Sequence, residues 1–241
     1  MFNAAVDSDL VTPSPVRTLK LPKAQRTEMR FLNGSQVSAL AEATGSEYRV
    51  LVLTAAYTGL RWGEITGLHI ERLDLLRRTL TVTEAASEVR GHISFTEPKT
   101  TASRRSVVLP RFLCDEIAAH LATHPPTDNA LVFTSPHGEP LRRTNFRRRI
   151  RIPATQAVSL DGVRFHDLRH THAAMLIAQG EHPKVIQSRL GHASITTTLN
   201  TYGHLLEGLD EAAADRLDDA WNGSLAPSPR PHGDLIALSV P

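Results

Sequence analysis

Tyr202 stands in TTTLNTYGHL, residues 196 to 205, ten residues after His192 of the LGH triplet. A phenol with an ordinary pKa near ~10 is a poor nucleophile unless a base or a positive field assists it. The chain offers both elsewhere. FHDLRHTH sets His166 and Arg169 three residues apart, on one face of a helix. GLRWGE sets Arg61 at a helix start with Glu64 three residues on, where a carboxylate can hold the guanidinium. Lys99, in the loop PKTTASR, adds a proton donor. Metal-free phosphoryl transfer needs cations for the pentacoordinate phosphate, a donor for the leaving oxygen and a nucleophile, and these side chains would supply all three. Each also has a plainer use. Tyr202 can be a core or capping aromatic and His166 a surface histidine, and no single segment decides between the two.

His166 and His170 are also four apart, the spacing at which two imidazoles share a zinc ion. A metalloprotease would place glutamate directly after the first histidine. Here that residue is Asp167, and no carboxylate-rich partner segment follows. A catalytic metal is not expected.

The elements that must position these residues are mostly helical. FLNGSQVSALAEAT has Asn33 as N-cap and Gln36 at the third helical position, with Val37, Leu40 and Ala41 on one face. EYRVLVLTAAYTG is apolar nearly all round, so it reads as a buried helix stopped by Gly59, and LRWGEITGL starts a short one. Between residues 79 and 109, TLTVTEA, HISFTEP and RRSVVLP are short and rich in β-branched residues, which predicts one small antiparallel sheet with PKTTASR as a hairpin loop. RFLCDEIAAHLATH returns to helical spacing and stops before Pro125 and Pro126, ALVF reads as a short buried segment, and the arginine-rich stretch after it reads as a helix. RFHDLRHTHAAMLIAQG offers Leu168, Ala173, Met175 and Leu176 for burial and closes at Gly180. Pro183 suits the first turn of HPKVIQSRLG, closed by Gly191; SITTTLNTYGHL and the acidic EGLDEAAADRLDD read as further helices.

Composition restricts the function classes. Net charge is only +2, yet LRRTNFRRRIR, residues 141 to 151, carries six arginines. The planar guanidinium forks onto oxyanions, so Arg142, Arg143, Arg147, Arg148 and Arg149 form a candidate phosphate-binding patch. Cys114 is the only cysteine, which leaves no intrachain disulfide and no cysteine-rich zinc site. The N-terminus lacks a basic start and an apolar middle, and no apolar run is long enough to span a membrane, so cytoplasm is the default.

Taken in order, TGLRWGEI, EPKT, HDLRH and LGHASITTTLNTYGHL resemble the catalytic domain of the tyrosine recombinase family, the phage-integrase type. The resemblance runs from about Phe31 to Leu206. It implies a mainly α fold with a small antiparallel β-sheet (α+β). It also implies that Arg61 and Arg169 grip the scissile phosphate, that His192 adds a hydrogen bond to it, and that Lys99 protonates the departing 5′ oxygen. His166 would assist proton transfer to or from the nucleophile, Tyr202 would form a 3′-phosphotyrosine link, and Glu64 would orient the Arg61 region. No cofactor and no metal are implied. The implied partners are double-stranded DNA and further copies of the chain, in a tetrameric synapse on DNA.

On this reading residues 1–30 are a linker-like N-terminal segment, 31–222 the catalytic domain and 223–241 a mobile, proline-rich tail. A helical core-binding domain that usually precedes this domain in the family is not expected within residues 1–30. The expected function is site-specific recombination for integration or excision of a mobile element. The alternative is a truncated, non-catalytic DNA-binding remnant. A type IB topoisomerase fits the compact HDLRH and LGH motifs less well. EHPKVIQSRLGHASITTT has a helix-turn-helix look, but the resemblance assigns that region to the active site.

Overall fold

The computed structural model describes residues 2–12, 29–97, 104–125, 130–205 and 209–221. A short helix, α1 (Phe2–Asp7), lies in the N-terminal segment. Helix α2 (Gly34–Ala43) begins with a complete capping box: the Asn33 side chain accepts from the Gln36 amide at 2.9 Å, and Gln36 Oε1 accepts from the Asn33 amide at 3.0 Å. Two of the orphan donors at the helix start are thereby satisfied.

Helix α3 (Ser46–Thr58) is the axis of the fold. Val50, Leu51, Val52, Leu53, Ala55 and Ala56 are all buried, which takes in every side of the helix, as its unbroken apolar run requires. It packs on α2, on α5 (Arg111–Thr123) and on α8 (Phe165–Ala178). Each fully buried leucine or valine there stabilises the fold by roughly 1.5–3 kcal/mol. Gly59 ends the helix in the left-handed region at φ 69°, and the chain turns directly into α4 (Trp62–Thr66).

The strands divide differently from the expectation of one sheet. β1 (Leu73–Asp74), β2 (Thr79–Val82) and β5 (Arg105–Val108) form a three-stranded antiparallel sheet, with Leu80 opposite Val107. β3 (Ala85–Val89) and β4 (His92–Thr96) form a separate hairpin, with Ser87 opposite Ser94. TLTV therefore pairs with RSVV, and HISFT pairs with the AASEV segment that composition had not marked as a strand. The physical difference is burial. β2 alternates half-buried with buried residues, whereas β4 is mostly exposed and needs only its hairpin partner. Most of the loop expected between β4 and β5, residues 98–103 with Lys99, lies outside the described residues.

ALVF is buried through Leu131, Val132 and Phe133 but contributes a single bridge, Leu131 with His69, rather than a strand. The arginine-rich stretch is helical from Arg143 onward: α6 (Arg143–Phe146), a π-helical turn (Arg147–Arg151) and α7 (Ile152–Ala157). Helices α9 (Pro183–Leu190) and α10 (Ile195–Tyr202) follow α8, Gly191 caps α9 at φ 65°, and α11 (Leu209–Trp221) takes the acidic segment. Met175 and Leu176, expected in the core, are half-buried. No helix among the described residues is long and apolar enough to cross a membrane.

Candidate active site

An aromatic cluster ties the starts of α4 and α8 together. Trp62, directly after Arg61, lies 5.0 Å from Phe165 and 5.0 Å from Phe146 between ring centroids, and Phe165 directly precedes His166. Tyr48 of α3 closes the group at 5.5 Å from Phe146. Such edge-on and tilted pairs favour defined ring positions, so Arg61 and His166 hang from one rigid support.

Glu64 anchors the Arg61 side of the site. Its carboxylate is buried and accepts the Arg61 backbone amide at 2.8 Å and the Arg61 Nη1 at 2.8 Å. It also accepts both terminal nitrogens of Arg105, at 3.1 and 2.9 Å. Burial alone would raise its pKa, but the hydrogen bonds and charge of Arg105, with Arg61 behind them, carry it down to about 2. Arg105 extends further, its Nε donating to the Arg189 carbonyl at 2.7 Å.

Arg169 is almost fully buried on α8. It donates from Nη1 to the Gly59 carbonyl and from Nη2 to the Leu190 carbonyl, both at 2.6 Å. Those carbonyls lie at the C-terminal ends of α3 and α9, where helices leave acceptors unpaired. One guanidinium thus joins two helix ends. Burial first and then the charge of Arg61 lower its pKa to about 9, and it remains a cation at neutral pH. Gly59 makes the convergence possible: a Cβ there would lie 2.8 Å from His172 Cδ2 and 2.8 Å from Leu190 Cδ2.

The histidines and the tyrosine complete the cluster. His192 Nδ1 meets Thr198 Oγ1 at 2.9 Å, and burial followed by the charges of Arg169, Arg61 and Arg105 lowers its pKa to about 4. His166 keeps an exposed side, yet burial against its neighbours, then His170, Arg169 and Arg61, lower it to about 4. Tyr202 is buried at the end of α10, and its hydroxyl lies 2.9 Å from His170 Nδ1. Burial raises the phenol pKa, while Arg169 and Arg61 act in the opposite direction.

Arg61, His166, Arg169, His192 and Tyr202 therefore share one neighbourhood in which the charges of Arg61 and Arg169 bear on the other three. Glu64 is paired with Arg61 and Arg105, and Asp167 with Arg164, so the positive field of Arg61 and Arg169 suits an oxyanion ligand. Lys99 lies outside the described residues. Arg143 lines a cleft of about 680 Å³ together with Arg61 and His166, and Arg147 lines an adjoining recess that also includes His166. Arg148 is exposed, as are Arg142 and Arg149, which line a separate recess beside Tyr48. Arg142 is also engaged, by Glu88 Oε1 at 3.0 Å and the Gly91 carbonyl at 2.7 Å.

The sequence reading missed Arg105 and underused His170. Alternation in RSVVL puts Arg105 on the inward face with Val107 and Leu109, and an inward arginine needs a partner. His170 carries only a metal-ligand signal in the sequence, its i+4 spacing from His166; its bond to the Tyr202 hydroxyl spans 32 residues and has no local signature. Arg189 and His172 form a supporting pair, with Arg189 Nε 3.2 Å from His172 Nε2.

Residues 30–208 match the family model described as the phage integrase family. The chain is 28% identical over 230 residues to the ICEBs1 integrase of Bacillus subtilis (strain 168), covering 91% of this chain and 62% of that protein. It is 28% identical over 218 residues to a putative prophage phiRv2 integrase of Mycobacterium tuberculosis (strain CDC 1551 / Oshkosh), covering 89% and 58%. The chain thus spans about three-fifths of the length of these curated relatives. Its fold matches that of the Tn1549 transposon integrase solved with a circular intermediate DNA, at TM-score 0.72 and 22% identity over 90% of this chain and 75% of that one. A second match is the XerA recombinase, at TM-score 0.59 and 25% identity over 94% of this chain and 72% of that one.

Proposed function

This chain belongs to the phage integrase family, and we propose that it cleaves and rejoins duplex DNA at specific sites through a 3′-phosphotyrosine intermediate, in the integration or excision of a mobile element. The observation that carries the reading is the convergence of Arg61, Arg169, His192 and Tyr202. Arg61 and Arg169 bind the non-bridging oxygens of the scissile phosphate, and His192 donates to the same group. His166 stands on the cleft side of the cluster, where it can serve phosphate or proton. Tyr202 Oη attacks phosphorus, the bond to the 5′ oxygen breaks, and Lys99 supplies the proton to that oxygen. The phosphodiester energy is kept in the tyrosyl ester, so rejoining is the same reaction in reverse. Pre-placed cations of this kind are worth about 10²–10³ in rate each when removed singly.

Residues 31–222 form the catalytic domain on this reading, with residues 1–30 a linker-like segment and 223–241 a tail. Arg142, Arg143, Arg147, Arg148 and Arg149 track the DNA backbone, and the active assembly is a tetrameric synapse on DNA, in the cytoplasm. DNA complexes of the Tn1549 transposon integrase support the choice of ligand.

The test is covalent trapping on nicked suicide duplexes drawn from the flanks of the gene's own locus. A denaturation-resistant protein–DNA adduct should form with the natural chain and be absent with Tyr202→Phe, while gel shifts show equal binding. Binding without an adduct, even when a core-binding domain is added in trans, would establish the second reading, occupancy of DNA without cleavage.

A further inference from the structure

Resting on that reading, we propose that His170, rather than His166, is the base that takes the proton from the Tyr202 hydroxyl. Nδ1 of His170 lies 2.9 Å from Tyr202 Oη, and both side chains are buried, so water does not compete for the hydroxyl's hydrogen bond. The ring of Tyr202 is set in an apolar cluster of Ala173, Ile177, Ile186 and Leu190, which fixes the phenol and leaves its hydroxyl at the polar edge. His166 sits one turn earlier on α8 with its ring edge-on to His170, centroids 4.8 Å apart, on the side of the cleft shared with Arg61. The arrangement divides the labour: His166 faces the cleft, and His170 faces the nucleophile.

The step balances without a co-reactant. The phenol donates to Nδ1 while Nε2 carries the ring proton. As a lone pair of Oη forms the bond to phosphorus, the hydroxyl proton passes to Nδ1 and gives an imidazolium. The bond to the 5′ oxygen breaks, and that oxygen takes its proton from the acid on the far side. In rejoining, His170 returns the proton to Oη. The groups acting on His170 are Tyr202 of α10 and, from its own helix and cap, His166, Asp167, Arg164 and Arg169. Burial first, then Arg164 and Arg169, hold the imidazole below its ordinary pKa against the opposing Asp167, so it is neutral and able to accept a proton at neutral pH. A general base so placed is worth roughly 10²–10⁴ in rate.

The experiment measures adduct formation by the full chain on nicked suicide duplexes from pH 5.5 to 9.5, for the natural protein, Tyr202→Phe, His170→Gln and His166→Gln. Glutamine at 170 can accept a hydrogen bond but not a proton. We expect His170→Gln to bind duplex normally and to cleave about 100-fold more slowly at pH 7. Its rate should then climb about tenfold per pH unit, because ionisation of the phenol must replace the imidazole. His166→Gln should be slower without acquiring that slope. Wild-type rates in His170→Gln would overturn the assignment. So would faster rates, which would make His170 a latch, or a profile parallel to the natural one, which would make it a structural support. An adduct that survives Tyr202→Phe would instead remove the nucleophile reading itself.

A second measurement is independent of cleavage and does not need the His170→Gln variant to fold. In protein labelled with ¹⁵N-histidine, Nδ1 of His170 should resonate as an unprotonated, hydrogen-bonded nitrogen and change in Tyr202→Phe. A protonated Nδ1 that donates to the phenol oxygen would overturn the proposal whether or not any duplex is cut.

Discussion

Arg105 closes a two-pronged ion pair on Glu64, Nη1 to Oε1 at 3.1 Å and Nη2 to Oε2 at 2.9 Å, with both side chains almost fully buried. The two residues are 41 apart in the chain, one on β5 and the other on α4. The pair ties the three-stranded sheet to the helix whose first residue follows Arg61. Because the same carboxylate receives the Arg61 side chain, a change at Arg105 reaches Arg61 through Glu64 as well as acting on His192 through its own charge.

Glu64→Gln should destabilise the chain by about 3–5 kcal/mol, since it removes one charge of a buried, two-pronged ion pair. A double-mutant cycle with Arg105→Met, read by urea unfolding, should show a coupling energy of about 1–3 kcal/mol. Purely additive losses would mean that the pair contributes packing alone. Glu64→Gln should also slow adduct formation at least tenfold, because Arg61 loses its tether.

Acid should weaken the fold in two windows. His172 is buried, and its pKa is lowered to about 3 by burial first and then by Arg189. Its unfolded value is near ~6.5, so the unfolded chain takes up a proton that the native state refuses. The stability is fully present above ~6.5 and is lost as pH falls towards about 3, at about 1.4 kcal/mol per pH unit. Glu64, held at about 2, adds a lower window in which stability is lost as pH falls from its unfolded value near ~4.3 towards about 2. Urea midpoints at pH 7.5, 6.5 and 5.5 should fall in that order. His172→Gln should be less stable at pH 7.5 but should depend less on pH.

Gly59→Ala should cost about 2–4 kcal/mol. Roughly 1 kcal/mol comes from a left-handed φ of 69° and the rest from overpacking against His172 and Leu190. Gly91→Ala, in the tight turn between β3 and β4, is the control. Its φ is 80° and nothing lies within 4 Å of the added Cβ, so only the backbone cost of about 1–2 kcal/mol should appear in the melting temperature. Equal shifts in the two variants would show that the convergence at Gly59 is looser than its distances indicate.

Duplex binding should depend steeply on salt, the logarithm of the association constant falling by ~0.9 per phosphate contact on a logarithmic salt scale. Arg147→Gln and Arg148→Gln should each make the slope shallower by about that amount. Arg142→Gln should change it less, because Glu88 and the Gly91 carbonyl already hold that guanidinium. A salt-insensitive affinity would remove the patch from the interface.

Local grammar made much of this protein legible in its sequence. Asn33 with Gln36 starts α2, Gly59 and Gly191 stop α3 and α9, and Pro183 opens α9, because caps and left-handed glycines act within a few residues. Residue type and spacing likewise marked Arg61, His166, Arg169, His192 and Tyr202 as chemically able. Partnership was another matter. β2 pairs with β5 rather than with β4, Arg105 reaches Glu64 across 41 residues, His170 reaches Tyr202 across 32, and Arg169 reaches the Gly59 carbonyl across 110. No periodicity encodes such pairs. They arise when burial of the apolar faces of α3, α8 and α9 brings polar groups into one water-poor space, where each must find a partner or lose more than a kilocalorie or so. The chain's own residues named the cations and the tyrosine; the packed helices decided that Arg169 would join two helix ends, and that the imidazole at the tyrosine's hydroxyl would be His170.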